Sequence, residues 1–137
     1  MKLAICAAIL AVFATPVAAA DLTLDLSTRA SGGMVAVAVY RDAEAFRRGE
    51  GPVASRMVAR TGAVTSVVIA GLPPGRYAVA AFHDTDGNGD LTLWPIGLPR
   101  EAYGFSRNAR GRFGPPTFAA AAFDLPASGA HQAFALR

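Results

Sequence analysis

Residues 71–84 read Gly71-Leu72-Pro73-Pro74-Gly75-Arg76-Tyr77-Ala78-Val79-Ala80-Ala81-Phe82-His83-Asp84. This is a turn followed by a strand. Proline fixes φ and glycine permits φ > 0, so 71–75 predicts a tight connection. From 76 to 83 the side chains alternate. Tyr77, Val79, Ala81 and His83 point one way, and Ala78, Ala80 and Phe82 point the other. Upstream the same period recurs. Leu22, Leu24 and Leu26 alternate with Thr23, Asp25 and Ser27, as a half-buried strand requires. Residues 34–40 are apolar on both faces, which predicts a central strand. Residues 42–48 suit one helical turn, ended by 49–52. Residues 55–60 and 64–70 read as a hairpin around Thr61-Gly62, and 118–125 and 132–136 as the closing strands. The expected fold is all-β: a single antiparallel β-sandwich of about seven strands with one long structured loop.

The N-terminus reads as an export leader. Lys2 precedes an apolar run over 3–13, Pro16 breaks it, and Ala18 and Ala20 supply the small residues of a cleavage site before Asp21. The run is shorter than the ~20 apolar residues a spanning helix needs. Cys6 lies inside it rather than just after it, which argues against a lipid anchor. Residues 1–20 are therefore expected to leave as a signal peptide. Residues 21–137 remain as one exported domain, periplasmic or extracellular and not integral to the membrane after cleavage. That domain has no cysteine and hence no disulfide, although its compartment would permit one. Lys2 leaves with the leader, so the formal charge falls from +3 to +2, too little to argue for nucleic acid.

The connection over 84–117 is far longer than the usual few residues, and such loops tend to carry function. Its Trp94, Tyr103, Phe105 and Phe113 predict that it packs. It opens with Asp84-Thr85-Asp86-Gly87-Asn88-Gly89-Asp90, which places Asp84, Asp86 and Asn88 at positions 1, 3 and 5 of a calcium loop and Gly89 at position 6. Alternate oxygens on a curling chain suit a hard cation such as Ca²⁺. Position 12 is Pro95 and position 9 is Thr92, so Asp90 or Glu101 would have to complete the set. The candidate ligands are Asp84, Asp86, Asn88, Asp90 and Glu101. The same residue types also build polar turns, and the carboxylates have arginines nearby in sequence to pair with. Zinc is disfavoured, because only His83 and His131 offer nitrogen and the domain offers no thiolate. An acid–base group of His83, Asp84 and Glu101 would need neighbours on a strand to converge, whereas they diverge. Nucleophile elbow, P-loop and dinucleotide motifs are absent, and no enzyme activity is expected.

Gly75-x-Tyr77-Ala78-Val79, His83-Asp84, Asn88-Gly89, Gly97-x-Pro99-x-Glu101, Tyr103-Gly104-Phe105-Ser106-x-Asn108, Gly114-x-Pro116-x-Phe118 and Ala122-Phe123 together resemble the bacterial domain-of-unknown-function family 2141. The resemblance covers most of residues 21–137. It implies an exported protein with a prealbumin-like or immunoglobulin-like sandwich, and no activity. Members of that family tend to carry an acidic residue near Thr92, and its loss here weakens the calcium reading. The Leu-Pro-Pro-Gly-x-Tyr turn is also similar to that of carboxypeptidase regulatory-type sandwich modules, which are accessory.

Residues 99–118 combine arginines with aromatics, the side chains enriched at binding hot spots. Arg100, Tyr103, Phe105, Arg107 and Arg112 form the candidate partner surface, for an envelope component or a small ligand. The competing reading has Tyr103, Phe105 and Phe113 covering an open end of the sandwich. The sequence thus points to an exported accessory or binding module with Ca²⁺ as the candidate ion of the 84–90 loop. The alternative is a partner- or envelope-polymer-binding protein using 99–118, and a hydrolase ranks below both.

Overall fold

The computed structural model describes residues 13, 14, 16, 18–89 and 101–137. Eight strands lie within them: β1 (Ala20–Ser27), β2 (Met34–Tyr40), β3 (Ala54–Ala59), β4 (Val64–Leu72), β5 (Gly75–Asp84), β6 (Tyr103–Phe105), β7 (Phe123–Leu125) and β8 (Ala130–Ala135). They form a three-stranded sheet, β4-β1-β8, and a larger one, β3-β2-β5-β6, with β7 also paired to β5. The all-β sandwich expected from the alternation is the observed fold. Leu22, Leu24 and Leu26 of β1 are fully buried in one core cluster with Val35, Val37 and Val39 of β2 and Tyr77 and Val79 of β5. Each such side chain contributes roughly 1.5–3 kcal/mol by leaving water. Residues 1–12, where most of the expected leader falls, lie outside the described residues. Ala20, the last residue of that leader, is the first residue of β1 and is buried opposite Leu72.

The local readings of β2 and the first helix hold. β2 pairs with β3 on one side and β5 on the other, as a central strand does. Helix α1 (Ala43–Arg48) starts at Asp42, whose carboxylate accepts the Ala45 N–H at 2.8 Å, and stops at Gly49 with φ 67°. The Pro73-Pro74 turn is fastened by Tyr77, whose hydroxyl donates back to the Pro73 carbonyl at 2.5 Å. The Arg41 guanidinium lies 5.6 Å from the centre of the Tyr77 ring.

Four expectations are corrected. Residues 55–60 and 64–70 are not a hairpin: β3 pairs with β2 and β4 with β1, so Thr61-Gly62 carries the chain from one sheet to the other. Residues 118–125 are not one strand. Thr117 accepts the Ala120 N–H through its hydroxyl and starts α2 (Phe118–Ala121), and only Phe123–Leu125 is extended. Three consecutive alanines favour that helical turn. The sandwich is not wholly antiparallel, since β8 runs parallel to β1. Residues 84–117 are not all loop, because β6 and a 3₁₀ turn at Ser106–Asn108 lie within them.

The two sheets are stitched together at both edges. Tyr103 of β6 and Arg137, just past β8, exchange backbone hydrogen bonds at 3.2 and 3.0 Å. On the other side Arg60, just past β3, donates through Nε to the hydroxyl of Thr28, just past β1, at 2.6 Å.

Candidate functional site

β5 presents its two faces to two environments. Tyr77, Val79 and Ala81 face the main core, and His83 is fully buried on the same side of the strand. Its Nε2 lies 2.6 Å from the Gly32 carbonyl, so that nitrogen carries the proton and donates. Among the described residues, His83 Nδ1 is the buried side-chain polar atom without a hydrogen-bond partner. His83 thus ties the β1–β2 connection to β5. Asp84 points to the opposite face, so the acid–base group of His83, Asp84 and Glu101 is not assembled.

Asp84 and Glu101 are buried, and with exposed Asp86 they bring carboxylate oxygens within 4.8 Å of one another. Three carboxylates this close repel, and backbone donors offset part of that. Asp84 Oδ1 accepts the Gly87 N–H and Oδ2 the Gly89 N–H, each at 2.8 Å. Glu101 Oε1 accepts the Thr85 N–H at 3.1 Å. Asp86 Oδ1 accepts the Asn88 N–H at 3.1 Å. Gly87 and Gly89 have φ of 74° and 81°, the left-handed region that lets their N–H groups turn inward. The structure therefore gathers three of the five expected ligands and places Asn88 on the same loop, while Asp90 lies outside the described residues.

The other face of the larger sheet divides in two. Near Tyr40 it is covered by α1 and α2, where Phe46 meets Tyr40, Phe105 and Phe118 edge to face at 5.6, 5.7 and 6.0 Å. Beyond that small core the face opens into a groove of about 1090 Å³. Its floor is Ala36 and Ala38 of β2, paired across the ladder with Phe82 and Ala80 of β5. Met57, Phe46 and Phe105 line it too, and fully exposed Phe113 stands beside them. Four arginines line it, Arg47, Arg48, Arg56 and Arg112, and no carboxylate does among the described residues. Arg47 and Arg48 share Glu44, whose carboxyl is held below its ordinary range by the hydrogen bond from Arg47. Arg56 donates to the Ser55 carbonyl at 3.0 Å, and Arg112 has no ion pair among the described residues. Gly111 lies so close to the Gly114 and Pro115 carbonyls that no Cβ would fit, which gives this loop a fixed shape.

Of the expected partner surface, Tyr103, Phe105 and Arg112 line this groove, and Phe113 joins them unpacked rather than capping the sandwich. Arg107 does not line it; its guanidinium donates to the Ala122 carbonyl at 3.3 Å. Arg100 lies outside the described residues. The alanine floor and Arg47 and Arg48 were missed by sequence reasoning. Their signal was the apolar second face of the strand over 34–40, which implied a cover without naming one.

The Tyr103-Gly104-Phe105-Ser106-x-Asn108 motif is a joint. Gly104 packs against the Ala135 carbonyl with no room for a Cβ. Ser106 is fully buried. Its hydroxyl accepts the Val79 N–H at 3.0 Å and donates to the Ala121 carbonyl at 2.6 Å, bridging the gap between β6 and β7 along β5. Asn108, with φ 51°, accepts the Ala135 N–H at 3.0 Å. No helix among the described residues is long and apolar enough to cross a membrane. No curated protein and no solved structure matches the chain. A family model does match, over residues 27–133, and the motif just described lies inside that span: the chain belongs to the family described as uncharacterized protein conserved in bacteria (DUF2141).

Proposed function

We propose that this protein is an exported, non-catalytic binding module that seats its ligand in the groove on the outer face of the larger sheet. The observation that carries the reading is the groove itself: an alanine floor on two central strands, aromatic walls and an arginine lining. Ligand sites are concave, largely apolar and furnished with a few convergent polar groups, and this one fits that description. Seven of its lining residues fall within the arginine and aromatic segment picked out in the sequence, Tyr103, Phe105, Arg112 and Phe113 among them. Catalysis is not part of the reading, since His83 is committed to Gly32 and separated from the carboxylates by the strand. The leader at residues 1–20 supplies the export half of the reading.

A neutral polarity-sensitive dye such as Nile red tests the groove without knowledge of the ligand. The full domain should enhance dye emission, and Ala38→Phe, which fills the floor, should remove most of the enhancement while leaving the melting temperature within a few degrees. No enhancement by the unaltered protein would refute the groove as a binding seat.

The cluster of Asp84, Asp86 and Glu101 supports a second reading, a calcium-stabilised loop. At ten times its dissociation constant a bound ion adds about 1.4 kcal/mol, which should raise the melting temperature by several degrees in millimolar calcium relative to chelator. Equal melting curves in the two conditions would remove the ion from the account.

A further inference from the structure

We propose that the groove takes an amphipathic anion: a single alkyl chain of medium length ending in a carboxylate or phosphate. This rests on the groove being a binding seat and adds the chemistry of what sits there. The floor is a trough rather than a pocket for a bulky ring. Ala38 pairs with Ala80 and Ala36 with Phe82 across neighbouring strands, so three methyl groups form the low part of the floor and the Phe82 ring bounds it beside Ala36. The alanine floor from Ala36 to Ala38 spans roughly 7 Å at the ~3.3 Å rise of a strand, and the lining continues under α1 to Tyr40 and Phe46. A linear chain of methylenes fills such a trough along its whole length.

The charge is arranged along the same axis. Tyr40 pairs with Ala78 at one end of the β2–β5 ladder and Met34 with Asp84 at the other. Helix α1 follows Tyr40 and brings Arg47 and Arg48 to the first end; Asp84 of the carboxylate cluster lies at the second end of the ladder. Glu44 is shared by two arginines, and Arg112 adds a further guanidinium to the lining. A guanidinium fork offers paired donors matched to carboxylate or phosphate oxygens. The anionic head therefore lies at the α1 end, away from the acidic loop, and the tail lies over the alanines toward Ala36. A cationic head has no place at the arginines.

Displacement of bound Nile red from the full domain by dodecanoate, dodecyl phosphate, dodecanol and dodecyltrimethylammonium, each below its micelle concentration, tests this. Both anions should displace the dye. Dodecanol should be weaker by about tenfold or more, the loss of one charge-assisted contact, and the cation weaker still. The stronger of the two anions identifies the head group. Octanoate should bind more weakly than dodecanoate, by up to about fourfold per methylene removed. Arg48→Gln with Arg112→Gln, both at exposed side chains, should lower affinity for the anions about tenfold while changing that for dodecanol much less, the dye affinity of the double variant being measured beside it. Equal displacement by alcohol and anion, indifference to chain length, or full anion affinity in the double variant would each overturn the assignment of ligand class. In those cases persistent dye binding shows that the groove itself still stands, whereas an unaltered protein that binds no dye loses both.

Discussion

Asp25 sits in the middle of the three-stranded sheet's outer face, flanked by the Ser66 hydroxyl and by His131 Nε2 at 2.7 Å. The Ser66 hydrogen bond first, and the His131 hydrogen bond second, hold its carboxyl below the ordinary aspartate value of 3.8. A carboxylate with a depressed folded-state pKa stabilises the protein above its unfolded value, and that contribution disappears as pH falls through the folded value. The stability difference between the parent protein and Asp25→Asn should thus shrink as pH falls below about pH 4. Denaturant titrations at a series of pH values measure it, and a difference that does not change with pH would show that the pair contributes nothing. Single residues of this kind are poorly legible in a sequence. Ser106 and Asn108 stood out as part of a family pattern, yet their roles depend on Val79, Ala121 and Ala135, and no local spacing reveals those partners. The oxygens of Asp84, Asp86 and Glu101 were more visible, because the first two share one turn and loop curvature does the gathering.

Strand alternation was read well wherever one period ran for six or more residues, as in β1, β2, β5 and β8. It failed where partner choice or a short element mattered. β3 and β4 were recognised as strands, but alternation says which face is buried and not which strand lies alongside; here Thr65, Val67 and Ile69 of β4 face the core from the sheet opposite β3. β6 has three residues, too few to show a period. The alanine run of α2 looked like strand because both conformations accept a short apolar stretch, and a threonine cap decided the matter. α1 and α2 together hold one wall of the groove through Phe46, which touches three other rings. Phe46→Ala should destabilise the protein by about 3–5 kcal/mol and reduce dye binding even at temperatures where the fold persists. Calorimetry and the dye assay separate those two effects; a drop in stability with unchanged dye emission would show that the helices do not shape the wall.

At the level of the molecule, the sandwich is closed on one side by a single reciprocal pair of backbone bonds between Tyr103 and Arg137, beside the buried Leu136. Removing residues 136 and 137 should lower stability by about 2–4 kcal/mol and speed amide exchange at Tyr103 and Gly104 more than at β1. Uniform acceleration across both sheets would mean that this edge does not open separately. The parallel pairing of β1 with β8 has its own outcome for how the domain forms. β1 has one flank that stays bare until β8 is made, since its neighbour there is Ala130–Ala135. A nascent chain can build the β2–β3 and β1–β4 pairings early, yet the β1–β8 pairing must wait for residues 130–135. Such distant pairings are slow to find, so a chain without β8 keeps one edge of β1 open to other partners.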